Sequence, residues 1–206
     1  MLPTIGNLRP WADPRINQIN RLPMHSTITR EKRQSLDGEW SFNLFSHPDD
    51  IDAVVLKDLQ RDKTVVVPGN WTMQDMGDFP HYTNVQMPFS GAPPELPERI
   101  ATGVYRRGLA VPTDWRESQI VLSVGGAESV HAVFINGEFV GYGTDSHAAM
   151  CWRASAPRCA PASGFSNSVR MVRASWAASG SAQRSPWYIA SPWPSERAAS
   201  ETGSSS

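Results

Sequence analysis

Val130-His131-Ala132-Val133-Phe134-Ile135, Asn136-Gly137, Glu138-Phe139-Val140-Gly141-Tyr142 is the stretch that decides the fold class. Two β-branched and aromatic runs flank an Asn-Gly pair, which suits the positive φ angles of a two-residue type I′ turn. The stretch therefore predicts a β-hairpin. Working outward, Gln119 to Val124 is closed by Gly125-Gly126, and Val104 to Val111 is closed by Pro112; each reads as a strand. Further back, Trp40, Phe42 and Leu44 alternate with Glu39, Ser41 and Asn43, the period-two pattern of a half-buried strand. Thr64-Val65-Val66-Val67, stopped by Pro68-Gly69, reads as a buried strand. The Asp-rich segment from Ser46 to Lys63 predicts a short surface helix or loop. Strands of this length separated by turns predict an all-β antiparallel sandwich of jelly-roll type.

Asn70 to Gly103 does not fit that pattern. It is Pro-rich and shows few alternations, yet carries Trp71, Phe79, Tyr82 and Phe89. Long connections of this kind in a compact domain are often functional, and the aromatics argue for docking against a surface.

Composition bounds the partners. The 206 residues hold 19 basic and 20 acidic side chains, a formal charge of −1. That balance supplies no global basic field for nucleic acid or an anionic membrane. No apolar run approaches the roughly 18 residues of a membrane helix. The opening Met1-Leu2-Pro3-Thr4-Ile5-Gly6-Asn7 lacks the charged-then-apolar pattern of a secretory signal. The expectation is a soluble cytoplasmic protein, with neither nucleic acid nor membrane as a partner.

The average hides a discontinuity near residue 147. Residues 1–149 carry a net charge of −5, whereas residues 150–206 carry +4 and contain no Lys, Asp or Leu. Those last 57 residues hold 14 Ser, 11 Ala, four of the eight Trp, and both cysteines. So few aliphatic residues cannot offset the entropy of ordering an independent core. Ser, Ala, Arg, Pro, Gly, Trp and Cys together are what a GC-rich coding region yields in a wrong frame. A frameshift between Ser146 and Met150 is the leading expectation; a genuine Ser/Ala-rich tail and a rearranged gene end are the alternatives. Cys151 and Cys159 have only His147 nearby and no second pair at ligand spacing, so neither a zinc site nor a disulfide is expected.

Most short motifs are bland. Asp49-Asp50 reads as solvated surface. Asp145-Ser146-His147 holds triad residue types, but adjacent residues on extended chain point in different directions. Gly141-Tyr142-Gly143 lacks the third glycine of a dinucleotide loop, and Asn70-Trp71-Thr72 is a sequon without a secretory route. Two polar residues stand close to aromatics, Asn84 after Tyr82 and Asp145 after Tyr142. Amide and carboxylate groups beside aromatic faces are the chemistry of sugar binding.

Several stretches, in order, resemble the N-terminal part of glycoside hydrolase family 2 β-galactosidases. They are Trp11-Ala12-Asp13-Pro14 with Gln18-Ile19-Asn20-Arg21-Leu22 and His25; Ser35-Leu36-Asp37-Gly38-Glu39-Trp40-Ser41-Phe42; Val66-Val67-Pro68-Gly69-Asn70-Trp71; Tyr82-Thr83-Asn84-Val85 and Pro88; Gly103-Val104-Tyr105-Arg106-Arg107; and Phe134 through Ser146. The resemblance covers roughly residues 10–147. It implies an N-terminal extended arm over 1–34, a jelly-roll sugar-binding domain over 35–147, and an aberrant Ser/Ala/Arg-rich tail over 148–206, irregular or disordered.

By the same resemblance, Asn84 and Asp145 contact the galactosyl group, and Asp145 also helps hold a sodium ion. The complete enzyme uses sodium and magnesium, and this fragment alone is expected to hold neither. Family members cleave β-galactosides with retention, through two glutamates about 5 Å apart on a barrel. That barrel is absent from this chain, so no catalytic residue is assigned and the fragment is expected to be inactive. His147 stands where the family has arginine, and the Phe-Asp continuation is missing. The implied partners are a β-galactoside of lactose type and the rest of the enzyme or a complementing chain, with the complete form a homo-oligomer. A stand-alone carbohydrate-binding sandwich and a fragment that docks onto a separate catalytic chain are the alternatives.

Overall fold

The computed structural model describes residues 9–23, 32–51, 63–80, 91–92, 95–115, 120–128, 130–144, 150–154, 167–174 and 187–191. Among these the regular structure is strand, with four single-turn 3₁₀ helices and no α-helix. The strands are β1 (Gln18–Ile19), β2 (Lys32–Ser35), β3 (Gly38–Phe45), β4 (Lys63–Val67), β5 (Thr102–Leu109), β6 (Ile120–Val124), β7 (Val130–Ile135), β8 (Glu138–Gly143), β9 (Met150–Ala154), β10 (Asn167–Ala174) and β11 (Trp187–Ser191). They form two sheets, ordered β1-β8-β7-β10-β5-β3-β4 and β2-β11-β6-β9. Every pairing is antiparallel, so the all-β sandwich stands as expected.

The hairpin forms where Asn-Gly predicts it. Asn136 and Gly137 have φ of 53° and 84°, the two positive angles of the type I′ turn. β7 is buried at all six positions because both faces of the larger sheet are covered. Val133 and Ile135 join Trp40, Phe42, Tyr105 and Leu122 in the main core. Ala132 and Phe134, pointing the other way, pack with Trp11, Ile51 and Ile100. β3 is tied to β5 by more than its ladder: Arg107 donates to the carbonyls of Leu36 (2.6 Å) and Asp37 (2.8 Å) and stacks over the Trp40 ring.

β4 differs from its sequence reading. It is an edge strand, with Val65 and Val67 inward and Val66 half exposed. The three consecutive valines hide the alternation. Its outer edge meets a side chain instead of a strand: Gln74 Oε1 accepts from the Val66 amide (2.8 Å), and Gln74 Nε2 donates to the Val66 carbonyl (3.0 Å).

The described residues beyond 147 are strand rather than irregular chain. β9 places Met150, Cys151 and Trp152 inside, with Met150 and Trp152 fully buried in the main core. Two glycines of β8 make the room. A Cβ at Gly141 would fall within the Trp152 ring and 2.9 Å from the Ile19 carbonyl, and one at Gly143 would strike the Met150 sulfur. β10 pairs with β5 over eight residues and with β7 over six, and β11 lies between β2 and β6. Backbone pairing is indifferent to side-chain identity, so a segment too poor in aliphatics to build its own core can still occupy one already built.

Candidate functional site

The site region is built where the N-terminal segment crosses the end of β8. β1 pairs Gln18 with Gly143 and Ile19 with Tyr142. Two side chains extend the seam: Asn20 Nδ2 donates to the Val140 carbonyl (3.1 Å), and Thr144 Oγ1 donates to the Asn17 carbonyl (3.2 Å). Beside this seam Trp11, Asp13, Ile16, Asn17, Tyr142 and Thr144 line an open cleft of about 260 Å³. That is below the roughly 300–1,000 Å³ of pockets that enclose a small ligand.

The ionisable groups of the cleft are already committed. Arg15 clamps Asp13 through Nε (2.9 Å) and Nη2 (2.8 Å), and its amide adds a third bond at 3.0 Å. These bonds, the side-chain ones first, hold the Asp13 carboxyl down at about 2. Burial pushes the Tyr142 phenol above its ordinary range, so it stays neutral through the physiological range. No group of three or more His, Cys, Asp or Glu side chains that could hold a metal ion occurs among the described residues.

The two sugar-contact residues of the sequence reading, Asn84 and Asp145, lie outside the described residues, as does Asp145 in its sodium role. Described residues flank both of them in the chain. Thr144, in the cleft wall, directly precedes Asp145. Residues on either side of Asn84 meet at a buried carboxylate: Trp71 Nε1 donates to Asp78 Oδ2 (2.9 Å), and Arg99 Nη2 lies 3.8 Å from Asp78 Oδ1. Trp71 in turn packs on Phe42 (ring centroids 5.7 Å apart), which meets Tyr105 edge-on at 5.0 Å. The docking expected of the aromatics in 70–103 is thus seen at Trp71, while Phe79 is exposed and Tyr82 and Phe89 lie outside the described residues.

The remaining motifs resolve without chemistry or fall outside description. Asp145-Ser146-His147 and Cys159 lie outside the described residues. Gly141-Tyr142-Gly143 is strand. Asn70 is buried. Asp49 is not merely solvated: it pairs with Arg9, while Asp50 accepts from the His47 amide (3.0 Å) to cap a 3₁₀ turn. Cys151 is a free, buried thiol that donates to Ser123 Oγ at 3.5 Å. The site's N-terminal wall was missed as such by the sequence reading. Its one signal, the ordered Trp11-Ala12-Asp13-Pro14 stretch, carries no local mark of a partner more than a hundred residues away.

Residues 33–156 match the model of the sugar binding domain of glycosyl hydrolases family 2. The chain belongs to glycosyl hydrolases family 2. Among similar family members, a β-galactosidase of Lactococcus lactis subsp. lactis is 36% identical over 141 residues, which cover 67% of this chain and 14% of that protein. A β-galactosidase of Aeromonas hydrophila subsp. hydrophila is 33% identical over 168 residues, 71% of this chain and 16% of that one. The chain therefore spans about a seventh of the length of these family 2 relatives. Among solved structures, a β-glucuronidase of Ruminococcus gnavus aligns with a TM-score of 0.57 at 18% identity, over 83% of this chain and 30% of that one. One of Faecalibacterium prausnitzii gives 0.52 at 17%, over 73% and 22%. At these identities the likeness is one of fold.

Proposed function

We propose that this chain is the N-terminal sugar-binding part of a cytoplasmic β-galactosidase that removes terminal non-reducing β-D-galactose from lactose-type substrates. The observation that carries the reading is identity of 33–36% to β-galactosidases across two thirds of the chain. In the complete enzyme, Asn84 and Asp145 hydrogen-bond the galactosyl hydroxyls, and Asp145 contributes to a sodium site. A carboxylate suits both roles, since it accepts from hydroxyls and ligates a hard cation through oxygen. The retaining chemistry belongs to two glutamates supplied by the rest of the enzyme or by a complementing chain. The complete form assembles as a homo-oligomer.

The half-open cleft supports this division of labour. At about 260 Å³ the open cleft is too small to enclose a ligand by itself, which fits a site completed by a second domain. The purified chain is expected to release no chromophore from a nitrophenyl β-galactoside above background. Clear turnover by the purified chain overturns the reading, and saturable galactose binding by calorimetry favours a stand-alone sugar-binding sandwich instead.

A further inference from the structure

β10 stands in the middle of the larger sheet, between β7 and β5. It is antiparallel to both, so β5 and β7 run parallel to each other and are held one strand apart. Among the described residues, nothing else joins the β1-β8-β7 half of that sheet to the β5-β3-β4 half by strand pairing. The strands that flank the gap are buried: β7 throughout and β5 from Thr102 to Tyr105. The residues that fill it lie beyond the family match, which ends at residue 156. Twelve residues separate β10 from β9, and twelve more separate it from β11, both strands of the opposite sheet.

We propose that the gap between β5 and β7 is a strand-acceptor site, filled at rest by the chain's own residues 167–174 and able to take the same segment from a second copy. Recognition is by the backbone: eight residue pairs with β5 and six with β7 align an extended segment, as in strand addition to a sheet edge, but on both sides at once. A recogniser of this kind tolerates the foreign composition of the occupant. The connecting stretches of twelve residues span up to about 40 Å when extended, enough to pass the segment to a neighbouring molecule. An emptied gap exposes two facing rows of amides and carbonyls, the condition that drives exchange of strands between molecules.

The test begins with hydrogen exchange on the full chain. Amides of 167–174 are expected to exchange about a hundredfold or more slower than in the free peptide, alongside those of 102–109 and 130–135. Exchange at the free-peptide rate overturns the proposal. A full-length Val169→Pro/Val172→Pro variant, whose own segment cannot complete the ladder, is then titrated with a synthetic peptide of residues 165–176. The expected result is saturable one-to-one binding that restores slow exchange in β5 and β7; the same peptide with proline at positions 169 and 172, which cannot complete either ladder, restores nothing. Should the variant not fold, unmodified protein at rising concentration supplies the second reading. Dimers that mix labelled and unlabelled copies only after transient unfolding uphold the exchange of strands. A strict monomer at every concentration, or peptide binding that the proline-substituted peptide matches, overturns it.

Discussion

Replacing Trp152 by alanine asks whether residues past the compositional break hold the fold together. The side chain is fully buried, packs edge-on against His131 at 5.3 Å, and sits in the main core with Leu122 and Met150. Gly141 lies directly against the ring and has no side chain of its own to fill the space left behind. Truncations of this kind cost about 3–5 kcal/mol, set against the 5–15 kcal/mol that holds a typical domain folded. For a chain of this size that is a fall in Tm of about 6–20 °C, at 2–4 °C per kcal/mol. Trp152→Phe separates the contributions. Trp152 Nε1 is buried with no partner among the described residues, so phenylalanine removes an unsatisfied donor along with some volume, and the loss should shrink to about 1 kcal/mol. The assay is urea unfolding followed by tryptophan emission and far-ultraviolet dichroism, with the exposed Arg153→Ala as the control. A Trp152→Ala protein within about 0.5 kcal/mol of the parent refutes the packing of β9.

Three further outcomes are expected. Gly103→Ala should destabilise by about 1–3 kcal/mol in the same unfolding assay, because its Cβ would lie 2.6 Å from Phe42 and 2.9 Å from Trp71, both rigid and buried; unchanged stability means that the aromatic cluster is looser than described. Gln74→Ala should cost about 1 kcal/mol for two lost bonds to Val66 and raise light scattering on storage, since the β4 edge is then bare; Gln74→Glu should restore only the bond from the amide. In a carboxyl NMR titration, Asp13 should have its midpoint at about 2, and Arg15→Ala should return it toward 3.8. The folded value lies below the unfolded one, so this clamp stabilises the fold above about pH 4, and its contribution disappears as pH falls toward 2. A midpoint that ignores Arg15→Ala breaks the pairing.

What was legible in the sequence was what short-range physics decides. The Asn136-Gly137 turn needs two positive φ angles that few dipeptides tolerate, and Trp40/Phe42 against Ser41/Asn43 states which face of β3 is buried. What was not legible depends on neighbours far along the chain. Val65-Val66-Val67 gives no period, so only the place of β4 at the sheet edge turns Val66 outward. Composition predicts irregular chain for β10 and β11, because it reports whether a segment can build a core, not whether a backbone can join one. The same limit applies to the site. Asn84 and Asp145 were approached through the resemblance, whereas the cleft wall of Trp11, Asp13 and Asn17 exists only because β1 pairs with the far end of β8.

The folded sheets draw on residues from both sides of the compositional break. The break in composition near residue 147 invites the view that folding stops there, yet the larger sheet has no continuous ladder until residues 167–174 enter it. Glycines 141 and 143, well before the break, are shaped for Trp152 and Met150, which lie after it. Complementarity across the break is an argument from two independent sides: small residues where large ones arrive, and an open ladder where a strand arrives. The cleft beside β1 and β8 shows no such complementarity: Arg15 engages both Asp13 oxygens, and the cleft stays open among the described residues.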